Sequence, residues 1–343
     1  MGRSSALCRD SGVPVAVQQP RKVAVAPMMD CTDRHDRYLL RLISRRVLLY
    51  TEMVTTGALL FGDRARFLAF HPSEHPVALQ IGGNDPLQMA RCARWVEDAG
   101  YDEININVGC PSNRVKSGGF GACLMLEPQR VAACYRAMAR AVAIPVTIKT
   151  RIGVDDRDSY HDLCEFVDAM ADAGCRTFIV HARKAWLEGV SPKHNRTLPP
   201  LRYDVVYRLK HDYPELEIVI NGGVTDLAEI DAHLQTADGV MIGRAAYQNP
   251  YLLADIDARF FGDTSLVPSR GEVLERYIEY MRREVANGVY LKHLARHLFG
   301  LFSGLPGAKA WRRHLSENMY GADVGVEVVN AAARHVVRST LKP

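Results

Sequence analysis

The chain has 343 residues, of which 48% are hydrophobic and 24% charged, and its formal net charge is +4. This is the balance of an ordinary globular protein, long enough for one large domain plus a small one. No apolar run approaches the roughly 20 residues of a membrane span, and a charge of +4 is too small to establish a nucleic-acid partner by itself.

Residues 1–20 mix Arg3, Arg9 and Asp10 with Gly12, Pro14 and Pro20, without the apolar core of a signal peptide. They read as a loose N-terminal tail, and a cytoplasmic location is expected. From Val23 onward, short apolar runs alternate with amphipathic stretches. Strands are predicted at Val23–Ala26, Val47–Thr51, Val77–Ile81, Glu103–Asn107, Pro145–Lys149, Thr177–His181, Glu217–Asn221 and Gly239–Ile242. Between them, Leu87, Ala90, Ala93 and Val96 share a helical face, as do Val131, Cys134, Tyr135, Met138 and Val142. Leu163, Phe166, Val167 and Met170 form a third such face, and Gly100 and Gly174 stand where helices stop before strands.

Eight βα units in about 230 residues predict an α/β fold, a TIM (β/α)8 barrel, over residues 21–262. A doubly wound sheet would carry a glycine-rich dinucleotide fingerprint after its first strand, and none is present. Beyond that, Val273, Leu274, Tyr277, Ile278 and Met281 form one helical stripe, and Leu291, Leu294, Leu298, Phe299 and Phe302 another. No strand signal intervenes, so residues 263–343 are predicted to be an all-helical C-terminal domain. The eight cysteines include no C-x-x-C pair, which argues against zinc, an iron–sulfur cluster or a disulfide framework, and no metal is expected. Cys92, Cys134 and Cys164 fall in helical apolar patterns and read as core fillers.

The stretch Asn105–Asn113 carries the chemistry. Ile104 and Ile106 alternate with Asn105 and Asn107, Gly109 frees the backbone, and Pro111 fixes its exit. Cys110 therefore sits on a rigid turn at a strand end. A buried structural cysteine is the plain alternative, but in a barrel the strand ends form the active site. The other ends carry Pro27-Met28-Met29, Gln80, Lys149, His181, Arg183, Asn221-Gly222-Gly223 and Gly243-Arg244. The loops after the last two strands are the usual phosphate site of such barrels, and Gly222, Gly223, Gly243 and Arg244 suit an anion. Gln80 and Asn107 match the edge of a heteroaromatic ring, and Lys149 places positive charge where a reduced flavin becomes anionic. Flavin mononucleotide (FMN) is the cofactor these parts suit.

Ala26-Pro-Met-Met29, Asn107-x-Gly-Cys-Pro111, Lys149-x-Arg151, His181-Ala-Arg183, Asn221-Gly-Gly223 and Met241-Ile-Gly-Arg244 closely resemble the tRNA-dihydrouridine synthases. Residues 184–196 and 307–313 look like subfamily A. The resemblance implies NADPH-driven, FMN-dependent reduction of the C5–C6 bond of D-loop uridines, at tRNA positions 20 and 20a. A hydride goes to C6, and Cys110 gives a proton to C5 as general acid. It carries over Pro27, Met28, Met29, Gln80, Lys149, His181, Asn221, Gly222, Gly223, Gly243 and Arg244 as FMN contacts. Asn107 and Arg183 are carried over as residues near the flavin or the target uridine.

The charge distribution fits an RNA partner. Lys193 and Arg196 lie in the loop after the sixth predicted strand. Between Arg282 and His314, seven Lys or Arg residues, including Arg312 and Arg313, stand against Glu284 alone. Ser117–Gly121 reads as a lid or a plain surface loop. A monomer or weak oligomer is expected. Two other readings remain open here: a flavin barrel acting on a free pyrimidine, and an RNA-binding protein without redox chemistry.

Overall fold

The computed structural model describes residues 21–340, apart from 192 and 322, so the expected N-terminal tail lies outside the described residues. Nine strands form: β1 Val23–Val25, β2 Leu48–Tyr50, β3 Val54–Thr55, β4 Val77–Gly82, β5 Glu103–Val108, β6 Val146–Arg151, β7 Thr177–His181, β8 Glu217–Asn221 and β9 Gly239–Ile242. Every pairing is parallel. β1 lies between β2 and β9, and the β2–β4 pairing closes a ring of eight. This is the TIM barrel that the periodicity predicts. The two-residue β3, on the edge of β4, is an addition the sequence did not reveal.

The strand alternation sorts two layers. Val23, Val25, Leu49, Leu79, Ile104, Ile106, Ile148, Val180 and Ile220 face outward into the core beneath the helices. Ala24, Leu48, Tyr50, Ala78, Ile179, Val219 and Met241 form the smaller apolar core inside the ring. Arg21 closes the floor, donating to Glu103 at 2.6 Å and Glu217 at 2.9 Å. Burial of one partner without the other would strand a charge, so the floor residues act as a unit.

Two side chains differ from the expected pattern. Asp85 caps the helix Pro86–Asp98, and its buried face runs through Met89, Cys92, Ala93 and Val96. Leu87, in the first turn, is 82% exposed, because helical phase and not hydrophobicity alone decides its side. Cys164 is only half-buried, unlike Cys92 and Cys134, which are core as expected. Gly100 and Gly174 adopt left-handed φ values of 93° and 103°, as expected of residues that stop helices.

C-terminal to the barrel, helices Arg270–Ala286, Leu291–Ala295, Ala308–Asn318 and Glu327–Thr340 follow one another. The second expected stripe is broken: a 3-10 turn, Arg296–Gly300, succeeds Leu291–Ala295. Of these, Arg270–Ala286 and Leu291–Ala295, with the 3-10 turn, pack on the first barrel helix, Arg34–Ile43. Tyr280 stacks on Tyr38 with ring centroids 4.0 Å apart, and the Tyr277 hydroxyl shares its one hydrogen between the carbonyls of His35 and Leu294, each 3.3 Å away. Gly300 passes so close to Gln248 that a Cβ would lie 2.5 Å from the Gln248 carbonyl oxygen. Trp311 is fully buried and donates its indole N–H to the Leu298 carbonyl at 3.0 Å. Trp311→Ala should therefore lower unfolding free energy by about 3–5 kcal/mol, read from urea denaturation.

Candidate active site at the barrel mouth

The inward positions of β4, β5 and β6 are unusually polar for a barrel interior. Glu103, on the floor, accepts from the Tyr50 hydroxyl at 2.6 Å and from the Thr147 hydroxyl at 2.5 Å. Thr147 Oγ1 accepts from Asn105 Nδ2 at 2.9 Å, and Asn105 Oδ1 from Gln80 Nε2 at 2.8 Å. Gln80 Oε1 then accepts from Asn107 Nδ2 at 2.7 Å. At the top, Asn107 Oδ1 accepts from the backbone N–H groups of Gly109 (3.1 Å) and Cys110 (3.0 Å). A ladder of hydrogen bonds thus runs from the floor to the Cys110 turn.

That turn is held from other sides as well. Arg151 Nε donates to the Gly109 carbonyl at 2.9 Å, while its Nη1 reaches the carbonyls of Lys184 and Asn195. The Cys110 carbonyl accepts from Ala122 N–H, and its thiol lies 3.5 Å from the Ser112 hydroxyl. The glycine-rich segment is anchored: Asn84 Nδ2 donates to the Gly119 carbonyl, and Phe120 packs against Gly82.

Cys110 faces a cavity of about 630 Å³ at the C-terminal mouth, within the range of small-molecule sites. The cavity brings together Pro27, Met28, Met29, Gln80, Asn107, Cys110, Lys149, His181, Asn221, Gly222, Gly223, Gly243 and Arg244, with Arg196 at its edge. Arg183 is not part of this wall; it bonds to the carbonyls of Thr197 and Pro199. Lys193, Arg312 and Arg313 are exposed and lie outside the cavity. Arg296 is engaged with Asp33 at 2.6 Å, so it is not a loose surface cation. Cys31, Met53, Thr225 and Tyr247 also line the cavity without having been expected there, as does Arg151, which stands in the Lys149-x-Arg151 motif but was given no role. Only Arg151 had a signal: it continues the inward alternation Thr147, Lys149, Arg151.

Electrostatically the mouth suits an anion. Lys149 Nζ donates to Asn221 Oδ1 at 2.9 Å. Burial, with Arg151 adding to it, lowers Lys149 to about 7, and the nearby Cys110 opposes the shift. Burial also pushes His181 well below its ordinary value, helped by Arg151, Lys149, Arg183 and Arg244. An incoming negative charge would favour the protonated form of both. Gly222 adopts a φ of 117°, and a Cβ there would sit 2.6 Å from the His181 ring, so only glycine leaves the backbone open at this point.

The protein family described as dihydrouridine synthase matches this chain over residues 24–337. The tRNA-dihydrouridine(20/20a) synthase of a Synechocystis species is 57% identical over 310 residues, covering 90% of this chain and 93% of that protein. The proteins of the same name from Shewanella oneidensis and Escherichia coli K12 are 56% and 54% identical over 316 residues. Each alignment covers 92% of this chain, and 94% and 91% of the relatives respectively.

The Lys149 shift has a direct consequence for stability. In the unfolded chain a lysine keeps its proton to about pH 10.4, whereas folded, unliganded Lys149 loses it above about 7. Between those values the unfolded state binds more protons, so this residue makes stability rise with pH. Lys149→Met should therefore be more stable than wild type below pH 7, with the difference shrinking toward pH 10. Urea titrations of unliganded protein across that range test this.

Proposed function

Because the chain belongs to the dihydrouridine synthase family, we propose that it reduces uridines 20 and 20a of the tRNA D-loop to dihydrouridine, using FMN in the mouth cavity and NADPH as reductant. The observation that carries this reading is the placement of Cys110 on one wall of a cavity whose other walls are cationic and glycine-lined. The residues present fit FMN. Gly222, Gly223, Gly243 and Arg244 suit its phosphate, and Lys149, His181 and Asn221 offer polar atoms for its ring system. Gln80 and Asn107 each keep a second amide hydrogen beyond those used in the ladder. When bound, FMN would contribute hydride chemistry directed at C6 of the uracil.

The chain's own residues complete the addition. Hydride arrival builds enolate-like charge over C5 and O4, and the Cys110 S–H bond breaks as the proton passes to C5. The sulfur is left with negative charge, and Lys149 and Arg151 are both close enough to interact electrostatically with Cys110. Their positive charge favours that product state, which is created during the reaction and not before it. The base must leave the RNA stack to reach the mouth. We assign residues 21–262 to the catalytic barrel and residues 263–343 to a tRNA-binding unit. On the same reading, Arg183, Lys193, Arg196, Arg312 and Arg313 contact the RNA.

Incubating the protein with FMN, NADPH and unmodified tRNA, then mapping dihydrouridine by position, tests the proposal directly. Product at 20 and 20a is expected. Reduction of free pyrimidine alone, or tight RNA binding without turnover, would replace it. In the same assay Cys110→Ala should retain FMN and be reduced by NADPH, while dihydrouridine formation falls about 10²-fold or more. Wild-type turnover by that variant would remove Cys110 from the reaction. Replacing Arg312 and Arg313 with Ala should weaken tRNA binding and make its salt dependence shallower by up to about two units of log–log slope. Binding measured across a salt series would report it.

A further inference from the structure

We propose that Glu103, on the barrel floor, is a positioning residue that fixes the orientation of the pocket amides and of the Cys110 turn through a one-way hydrogen-bond ladder. The argument depends on which groups can only donate and which can only accept. Glu103 is buried and ion-paired with Arg21 at 2.6 Å, so it enters the ladder purely as an acceptor. Thr147 has a single hydroxyl hydrogen, and it is used toward Glu103. Toward Asn105, Thr147 can therefore only accept, and Asn105 must turn its amide nitrogen downward. Its carbonyl then faces Gln80, which must present Nε2, and the Gln80 carbonyl in turn must receive Asn107 Nδ2.

The other end imposes the same sense independently. The backbone N–H groups of Gly109 and Cys110 can only donate, so Asn107 must offer them its carbonyl. An acceptor-only floor and a donor-only roof leave the three amides between them a single arrangement without a mismatched pair. Asn105, Thr147 and Gln80 are each at most 1% exposed, so a flipped amide would leave buried polar atoms unpaired. The consequence for a ligand is specific. Asn107 Oδ1 already accepts two N–H groups and Gln80 Oε1 one, so the remaining amide hydrogens of the pair bias this wall toward donating. It favours a ring edge that presents acceptors, such as a carbonyl oxygen or an unprotonated ring nitrogen.

The inference rests on the proposed reaction for the identity of the ligand, but not for the ladder itself. Glu103→Gln removes the acceptor-only floor, yet it also leaves Arg21 short of a charge partner. Thr147→Val is the sharper variant: it breaks the ladder isosterically and keeps the Arg21–Glu103 pair. Thr147→Ser restores the hydroxyl. In the FMN-loaded protein, hydrogen–deuterium exchange of the peptide spanning residues 107–112 should become about tenfold faster or more in Thr147→Val. The visible flavin band should shift, and turnover should fall with the KM for tRNA changed by less than about threefold. Thr147→Ser should return all three toward wild type. Unchanged exchange and an unchanged flavin band in Thr147→Val overturn the proposal. A wild-type protein that makes no dihydrouridine would instead overturn the reaction, while the exchange measurement still decides the ladder.

Discussion

A closed barrel has to satisfy its interior polar groups without bulk water, and in this chain one carboxylate governs how that is done. Glu103 gathers Arg21, Tyr50 and Thr147 at the floor, and the hydrogen bonds above it reach the Cys110 turn. Barrel interiors are ordinarily filled by aliphatic layers. Here Leu48, Tyr50, Ile179, Val219 and Met241 form such a core, while β4 to β6 contribute amides and hydroxyls instead. A mixed interior of this kind is tolerable only when each amide has its complement, and those of Gln80, Asn105 and Asn107 do. The same requirement that stabilises the core therefore orients the site.

The mouth applies the opposite logic. Lys149 and His181 are held where burial disfavours their charged forms, beside the further cations Arg151, Arg183 and Arg244. Burial and neighbouring cations weigh against both charges, and an anion placed here would favour them. Rigid turns support it: Gly222 and Gly223 adopt left-handed conformations, and the Tyr203 hydroxyl donates to the Gly222 carbonyl at 2.7 Å. The lower barrel is satisfied by itself. On the proposed reading, the upper barrel is completed by its ligand.

How much of this was legible in the sequence follows from whether a feature is local. The eight ring strands could be read from runs of consecutive residues, and so could the two faces of one of them, Ile104 and Ile106 against Asn105 and Asn107. Gly222 and Gly223 stood out as a glycine pair at a strand end, and the positive φ they adopt is one that glycine takes most readily, though Asp30 and Asp155 adopt it too. The ladder was not, since it depends on register: Gln80 lies opposite Asn105, and Asn107 opposite Lys149, only once the strands are paired. Leu87 misled because a first-turn residue can be apolar and still point outward. The charge run near Arg296 was countable, but counting does not show that this guanidinium is already committed to Asp33.

That commitment explains how the C-terminal helices relate to the site. Asp33 Oδ1 caps the helix Arg34–Ile43 by accepting from the backbone N–H groups of His35 and Asp36, and it also meets His297 Nε2 at 3.0 Å. Its other oxygen takes Arg296. One side chain thus starts the first barrel helix and holds the C-terminal segment. Burial pushes the neighbouring Asp36 carboxyl well above its ordinary range, and the charge on Asp33 adds to that. That shift works against a second buried negative charge at the joint, where Asp36 Oδ1 lies 3.6 Å from His297 Nδ1. Tyr247, which lines the cavity, packs edge-on against the same His297 ring at 5.8 Å. The joint therefore lies directly behind the cavity wall. On the proposed reading, RNA seated on the C-terminal helices would press on a contact that also shapes the pocket, so RNA docking and base reduction would share one mechanical frame.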